Sequence, residues 1–92
     1  MDYKILIADD EPEIRNLLRL YLENENYHVI EAEDGQRALD LLRAEQPALC
    51  ILDIMMPKID GLELCRRIKH NVQTSHIPVI LLTARSGDEA KI

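Results

Sequence analysis

Aspartates follow two short apolar segments of this 92-residue chain. Asp9 and Asp10 follow residues 5–8, and Asp53 follows residues 48–52. A charged carboxylate at the end of a buried strand is unfavourable unless a partner compensates it. If the two strands are neighbours, the three carboxylates lie within reach of one another. The pattern therefore predicts a divalent metal site with one carboxylate available for chemistry.

Taken singly, these residues have simpler interpretations. An isolated Asp9-Asp10 pair is typical of a helix N-cap and a solvated acid. Asp53 alone is typical of a residue that starts a turn, and Thr83 alone is an ordinary strand-end residue. Their occurrence together, at matched strand ends, favours a functional site over these interpretations.

Composition limits the class of protein. The chain is 47% hydrophobic and 30% charged with a net charge of −6, which is typical of one globular domain. The negative charge argues against a nucleic-acid interface, which needs clustered Lys and Arg. It favours Mg2+ over an anion as a ligand.

The same composition bears on location. No apolar stretch approaches the roughly 20 residues of a membrane span, and the first residues do not form a signal peptide. Cys50 and Cys65 lie on apolar patterns and are interpreted as buried thiols of a reducing compartment, with a disulfide as the alternative. We therefore expect a cytoplasmic protein without membrane contact.

Apolar segments alternate with helical patterns along the chain. We predict strands over residues 4–8, 27–32, 48–54 and 77–83, with a helix after each of the first three. Strands that are apolar throughout are buried on both faces, so the sheet should be parallel with helices on both sides. The predicted fold class is α/β, with right-handed crossovers.

The helices also carry local predictions. Pro12 and the nearby acids should start the first helix, and Asp60 with Glu63 should form a capping box for the third. Arg15, Asn16 and Arg19 should lie on the outer face of the first helix. Its buried face should hold the apolar residues at helical spacing, which are Ile14, Leu17, Leu18, Tyr21 and Leu22.

The strand ends explain how the polar residues could meet. In open parallel sheets, ligands bind at the carboxyl ends of the strands. Asp9, Asp10, Asp53 and Thr83 each follow or end a predicted strand, so they should converge at one edge. Mg2+ takes six oxygen ligands and keeps several waters, so a few carboxylates and a carbonyl suffice.

With these residues, the chain resembles the receiver domain of two-component response regulators. The matching motifs are specific as a set and span nearly the whole sequence. They are Asp9-Asp10, Asp53 with Met55-Met56-Pro57 and Asp60-Gly61, and Thr83-Ala84 after Ile77-Pro78-Val79-Ile80. The resemblance implies a flavodoxin-like doubly wound parallel sheet with strand order 2-1-3-4.

The resemblance also implies roles. Asp53 would accept a phosphoryl group from a histidine kinase or a phosphotransfer protein. Asp10 and Asp53 would bind Mg2+, with Asp9 helping directly or through water and the Met55 backbone carbonyl as a further ligand. Thr83 would hydrogen-bond the phosphoryl group. Such a module modifies itself and is not a turnover enzyme.

One departure from the family pattern is a missing segment. Receivers carry a Lys after a fifth strand, and a fifth helix, and neither occurs in these 92 residues. We therefore expect a single receiver-like domain over residues 1–92 that is C-terminally incomplete and lacks the fifth βα unit.

Three other functions are alternatives to this one. An engineered or excised receiver fragment would have a structural or assembly role, with self-association through the apolar edge at residues 77–83. An aspartyl-phosphate hydrolase would need a second acid two residues after Asp53, where Met55 stands. A nucleotide-binding flavodoxin-like module is disfavoured because no Gly-rich loop follows the first strand.

Overall fold

The sheet is parallel, as the apolar strands predict. The computed structural model describes residues 3–82. Its strands are ordered β2-β1-β3-β4, which confirms the expected order. The elements in chain order are β1 (Lys4–Ala8), α1 (Pro12–Asn24), β2 (His28–Ala32), α2 (Gly35–Glu45), β3 (Leu49–Asp53), α3 (Gly61–Lys69) and β4 (Val79–Leu82).

The register of β1 and β3 places the carboxyl ends of the two strands side by side. Ala8 at the end of β1 pairs with Leu52 of β3 and with Ala32 of β2. Asp9 and Asp53 are the next residues on their strands, so they emerge side by side. The predicted strands were slightly too long: β2 begins at His28 and β4 at Val79, after Pro78. Proline lacks the N–H that a ladder requires, which accounts for the later start of β4.

The main core lies between the sheet and helices α2 and α3. Alternate strand residues point into it because successive side chains of a strand face opposite sides. Its largest fully buried side chains from these elements are Leu6, Leu42, Leu52, Leu64 and Ile68. This core fixes the strands whose ends carry the aspartates.

Helix α1 corrects part of the predicted buried face. It contains no fully buried residue. Leu17 and Tyr21 are 51% and 68% exposed, whereas the other three predicted residues, Ile14, Leu18 and Leu22, are half-buried. Arg15 and Arg19 are turned toward the sheet, where both form ion pairs with Glu31 of β2. Apolar spacing identified the helix, but the partner on β2 decides which side faces inward.

Smaller predictions have mixed outcomes. The Asp60 side chain accepts from the Glu63 N–H at 2.8 Å, which confirms one half of the capping box. The Glu63 carboxylate pairs with Arg66 and Arg67.

Cys50 is a buried free thiol and Cys65 a partly exposed one. Within residues 3–82, no helix has the length and apolar character needed to cross a membrane.

Candidate metal centre

Three carboxylates meet at the carboxyl edge of the sheet. Asp9, Asp10 and Asp53 each contribute one carboxylate oxygen to a group whose members all lie within 4.8 Å of one another. Asp9 and Asp53 are 2% and 1% exposed, whereas Asp10 faces solvent. We call these residues the acidic cluster. The structure brings together the three aspartates that the strand ends predict.

Asp9 is held by contacts on both its backbone and its side chain. Its N–H donates to the Ala32 carbonyl of β2 at 3.1 Å, and its side chain accepts from the Glu11 N–H at 2.9 Å. The Asp9 carbonyl accepts from the Arg15 guanidinium at 2.6 Å. These bonds turn the chain from β1 into α1 and fix where the carboxylate stands.

Asp53 is supported by the start of α3. Its side chain accepts from the Met55 N–H at 3.3 Å. Gly61 packs so closely that a Cβ atom there would lie 2.4 Å from the Asp53 carbonyl oxygen. Gly61 also donates its N–H to the Ile54 carbonyl at 2.8 Å. The glycine therefore allows the helix to begin directly behind the acid.

Met55 and Met56 differ in environment. The Met55 side chain is exposed, and Met56 is buried in the core. A role for Met55 in metal binding thus concerns its backbone carbonyl and stays a prediction. Thr83 and Ala84 lie outside the described residues.

The loop after Asp53, residues 54–60, packs against the start of α2. Lys58 donates to the Asp34 carboxylate at 3.1 Å, and the same carboxylate caps α2 by accepting from the Arg37 N–H at 2.9 Å. A Cβ atom on Gly35 would lie 2.4 Å from the Ile59 carbonyl oxygen. The loop that carries Met55 therefore rests on α2.

These contacts also act on the charge of Asp34. The Arg37 N–H and, after it, the Lys58 ammonium hold the pKa of the carboxyl below its usual value, against the opposing effect of burial. Sequence reasoning assigned no role to Asp34 or Arg15 at this edge. The pairing partners lie on other elements, so local spacing could not identify them.

The donor set of the acidic cluster suits Mg2+. All three side chains offer hard carboxylate oxygens, which Mg2+ prefers over nitrogen or sulfur. Two of the three are buried, where like charges repel strongly and a divalent cation offsets the repulsion. Asp10 at the exposed rim leaves room for the water ligands that Mg2+ retains. The residues present therefore fit the ion.

Comparison with known families decides the class of this fold. The family model for the response regulator receiver domain matches residues 5–92. The chain belongs to this family. The resemblance inferred from the aspartates and the motifs around them is thereby confirmed.

Individual receiver domains agree in sequence and in structure. The chain is 48% identical over 92 residues to the response regulator GtcR of Aneurinibacillus migulanus, covering all of this chain and 37% of that protein. The N-terminal domain of a response regulator receiver protein from Methanoculleus marisnigri JR1 has a TM-score of 0.87 at 42% identity, with 96% of this chain and 73% of that one covered.

A receiver attached to a kinase is also similar. The signal receiver domain of a signal transduction histidine kinase from Syntrophus aciditrophicus has a TM-score of 0.86 at 38% identity. The match covers 91% of this chain and 64% of that one. The present chain thus spans about a third of the length of the full response regulator GtcR and most of a solved receiver domain.

Proposed function

We propose that this receiver domain accepts a phosphoryl group on Asp53 in a Mg2+-assisted phosphorelay. The main support is the position of buried Asp53 beside Asp9 and Asp10. One carboxylate oxygen from each of the three residues lies within 4.8 Å of those of the other two. The proposed donor is the phosphohistidine of a histidine kinase or phosphotransfer protein. The similar receiver domain of a histidine kinase supports that class of partner.

The proposed transfer is a substitution at phosphorus. An Asp53 carboxylate oxygen forms a new O–P bond while the N–P bond of the phosphohistidine breaks. The electron pair of that bond stays on the imidazole, which takes up a proton, and no oxidant or reductant is needed. The product is an acyl phosphate on Asp53, so the step modifies the domain itself and is not turnover.

The roles of the other residues follow from their positions. Bound Mg2+ would neutralise charge on the carboxylates and the phosphoryl oxygens. Asp10 and Asp53 would bind it, Asp9 would assist directly or through water, and the Met55 carbonyl would complete the protein ligands. Thr83 is proposed to donate its hydroxyl to the phosphoryl group.

Intact-mass spectrometry tests this function. The chain is incubated with Mg2+ and acetyl phosphate, and the mass of one added phosphoryl group is expected. Omission of Mg2+ or the D53N substitution should remove the adduct, because each eliminates one part of the proposed site. Asp60→Asn is a matched control, since Asp60 caps α3 outside the acidic cluster.

Two results would overturn the proposal. A wild-type chain that takes up no phosphoryl group at saturating Mg2+ lacks the activity. An adduct of equal yield on D53N would place the acceptor elsewhere.

The edge strand β4 supports a second proposal, self-association of this chain. Among residues 3–82, β4 has β3 as its one strand neighbour, and Ile80 on it is 48% exposed. Residues 77–83 contain no charged side chain that would discourage pairing with another chain. This is the alternative in which the 92-residue chain has an assembly role.

Light scattering coupled to size exclusion tests the assembly proposal. A concentration-dependent dimer or larger species is expected, and Ile80→Lys should shift it toward the monomer by placing a charge on the edge. Leu62→Lys, at an exposed apolar position on α3, is the matched control. A wild-type chain that stays monomeric at high concentration would contradict this proposal.

The cytoplasm is the proposed location. Its support is the pair of free thiols, of which Cys50 is buried among apolar residues. Burial raises the pKa of the Cys50 thiol to about 12, so it behaves as a small neutral hydrophobe.

A further inference from the structure

Arg15 joins the acidic cluster to the second strand. Its side chain is 17% exposed. One guanidinium N–H donates to the Asp9 carbonyl at 2.6 Å, and Nε donates to Glu31 of β2 at 3.1 Å. A single planar group thus bridges the end of β1 and the neighbouring strand. That geometry uses the fixed fork of donors that distinguishes Arg from Lys.

The Asp9 carbonyl occupies a sensitive position. It belongs to the peptide group that links Asp9 to Asp10, so a bond to this oxygen fixes the plane between two members of the acidic cluster. The other bonds at Asp9 hold its N–H and its carboxylate. The Arg15 contact therefore adds a restraint on the side of the residue that leads to Asp10.

Glu31 holds the guanidinium in place. Its carboxylate accepts from Arg15 through one oxygen and pairs with Arg19 through the other at 3.3 Å. Arg19 lies one helical turn from Arg15, where it pairs with Glu31 and donates to the Asn16 side chain. Arg15 and Arg19 thus pair with the same carboxylate and carry the same positive charge. Arg15 alone of the two donates to the Asp9 carbonyl.

We propose that Arg15, oriented by Glu31, is a positioning residue that sets the Asp9–Asp10 peptide for cation binding. This inference rests on the proposed Mg2+ site. Positioning and simple electrostatics predict opposite effects. A nearby guanidinium repels a cation, so its removal alone would tighten Mg2+ binding. If Arg15 positions the carboxylates, its removal weakens binding in spite of the lost repulsion.

Isothermal titration calorimetry of the full chain with Mg2+ separates the two effects. For Arg15→Met we expect a loss of affinity on the order of tenfold, the lower end of the range for residues that orient metal ligands. Arg19→Met removes the same charge from the same helix without touching Asp9, and its affinity should stay within about twofold of wild type.

Two further variants test the geometry of the Arg15 contacts, and a melting experiment checks that each variant is folded. Arg15→Lys keeps the charge but cannot bridge both acceptors, so an intermediate affinity is expected. Glu31→Gln should weaken Mg2+ binding less than Arg15→Met, because the Asp9 bond survives with a less constrained guanidinium. Thermal melting without Mg2+ identifies any variant that does not fold. If Arg15→Met does not fold, the Mg2+ affinity of Arg15→Lys is compared with that of wild type instead.

The outcomes of this inference and of the proposed function are distinguishable. Affinity of a folded Arg15→Met or Arg15→Lys chain equal to or tighter than wild type overturns the positioning role, even if acetyl phosphate labels wild-type Asp53. Weakened Mg2+ binding by these variants, with no labelling of wild type, supports the positioning role and overturns the phosphoacceptor function. A wild-type chain that binds no Mg2+ overturns the positioning role as well.

Discussion

Burial and charge oppose each other at Asp9 and Asp53. Both side chains are almost fully buried, and each has an oxygen within 4.8 Å of the other members of the acidic cluster. Such like charges destabilise a folded chain unless a cation or a proton offsets them. The same arrangement that makes the site suitable for Mg2+ therefore lowers the stability of the cation-free protein.

Replacing Asp53 by Asn should stabilise the cation-free chain. The substitution removes one of three clustered charges at nearly constant volume, and we expect a gain of about 1 kcal/mol in the free energy of unfolding. Urea denaturation with and without Mg2+ measures it. Mg2+ should stabilise wild type by mass action and D53N much less.

One control variant and one contradicting outcome define this result. Asp60→Asn alters a carboxylate that caps α3, so it should leave the Mg2+ effect unchanged. Equal stabilisation of wild type and D53N by Mg2+ would show that the ion does not bind at Asp53.

Chain position was sufficient to predict that the aspartates meet. Asp9 and Asp53 could be placed together because each comes at the end of an apolar strand. Arg15 could not be placed with them, since its role depends on a carbonyl of β1 and a carboxylate of β2. Spacing within one helix carries no information about partners on other elements.

Elements position the site through close backbone contacts. The loop after Asp53 rests on α2 through the Lys58–Asp34 ion pair and the close approach of Ile59 to Gly35. Gly61 lets α3 begin against the Asp53 carbonyl. Helices α2 and α3 thereby hold the segment that contains both Asp53 and Met55.

Asp34→Asn should destabilise the chain by about 0.5 kcal/mol near pH 7, as expected for an ion pair whose lysine is 64% exposed to solvent. Asn still caps a helix well, so the loss reports the interaction of the Asp34 charge with the Arg37 N–H and with the Lys58 ammonium. The folded-state pKa of Asp34 lies below its usual 3.8. Its contribution is therefore fully present above that pH and is lost as pH falls through the folded-state pKa.

Urea denaturation at several pH values checks this dependence. The difference between wild type and D34N should shrink as pH falls below 3.8. A difference that grows toward acid pH would contradict the assigned cause. Asp40→Asn, on the exposed side of α2, is the matched control.

Gly61→Ala should destabilise the chain by roughly 2 kcal/mol, as overpacking of a close contact does. A Cβ there would lie 2.4 Å from the Asp53 carbonyl oxygen, so α3 or the end of β3 must shift. Thermal or urea unfolding measures the change. Leu62→Ala, at the next and exposed position, should change stability far less. Equal stability of G61A and wild type would contradict the tight contact.

At the scale of the whole molecule, sheet order determines the site. The order β2-β1-β3-β4 makes β1 and β3 neighbours, and their register places Asp9 beside Asp53. Apolar strands alternating with helices were sufficient to predict a parallel sheet, and the strand order was implied by the resemblance to receiver domains. The sequence was not sufficient for the orientation of α1, where the Glu31 pairs turn Arg15 and Arg19 toward the sheet.

Localisation of the acyl phosphate tests the central claim most directly. The chain is treated with Mg2+ and acetyl phosphate, reduced with borohydride to convert the acyl phosphate to a stable alcohol, and mapped by peptide mass spectrometry. We expect reduction at Asp53, and only when Mg2+ is present during the treatment. Modification confined to Asp9, Asp10 or a histidine, or no modification at all, would contradict it.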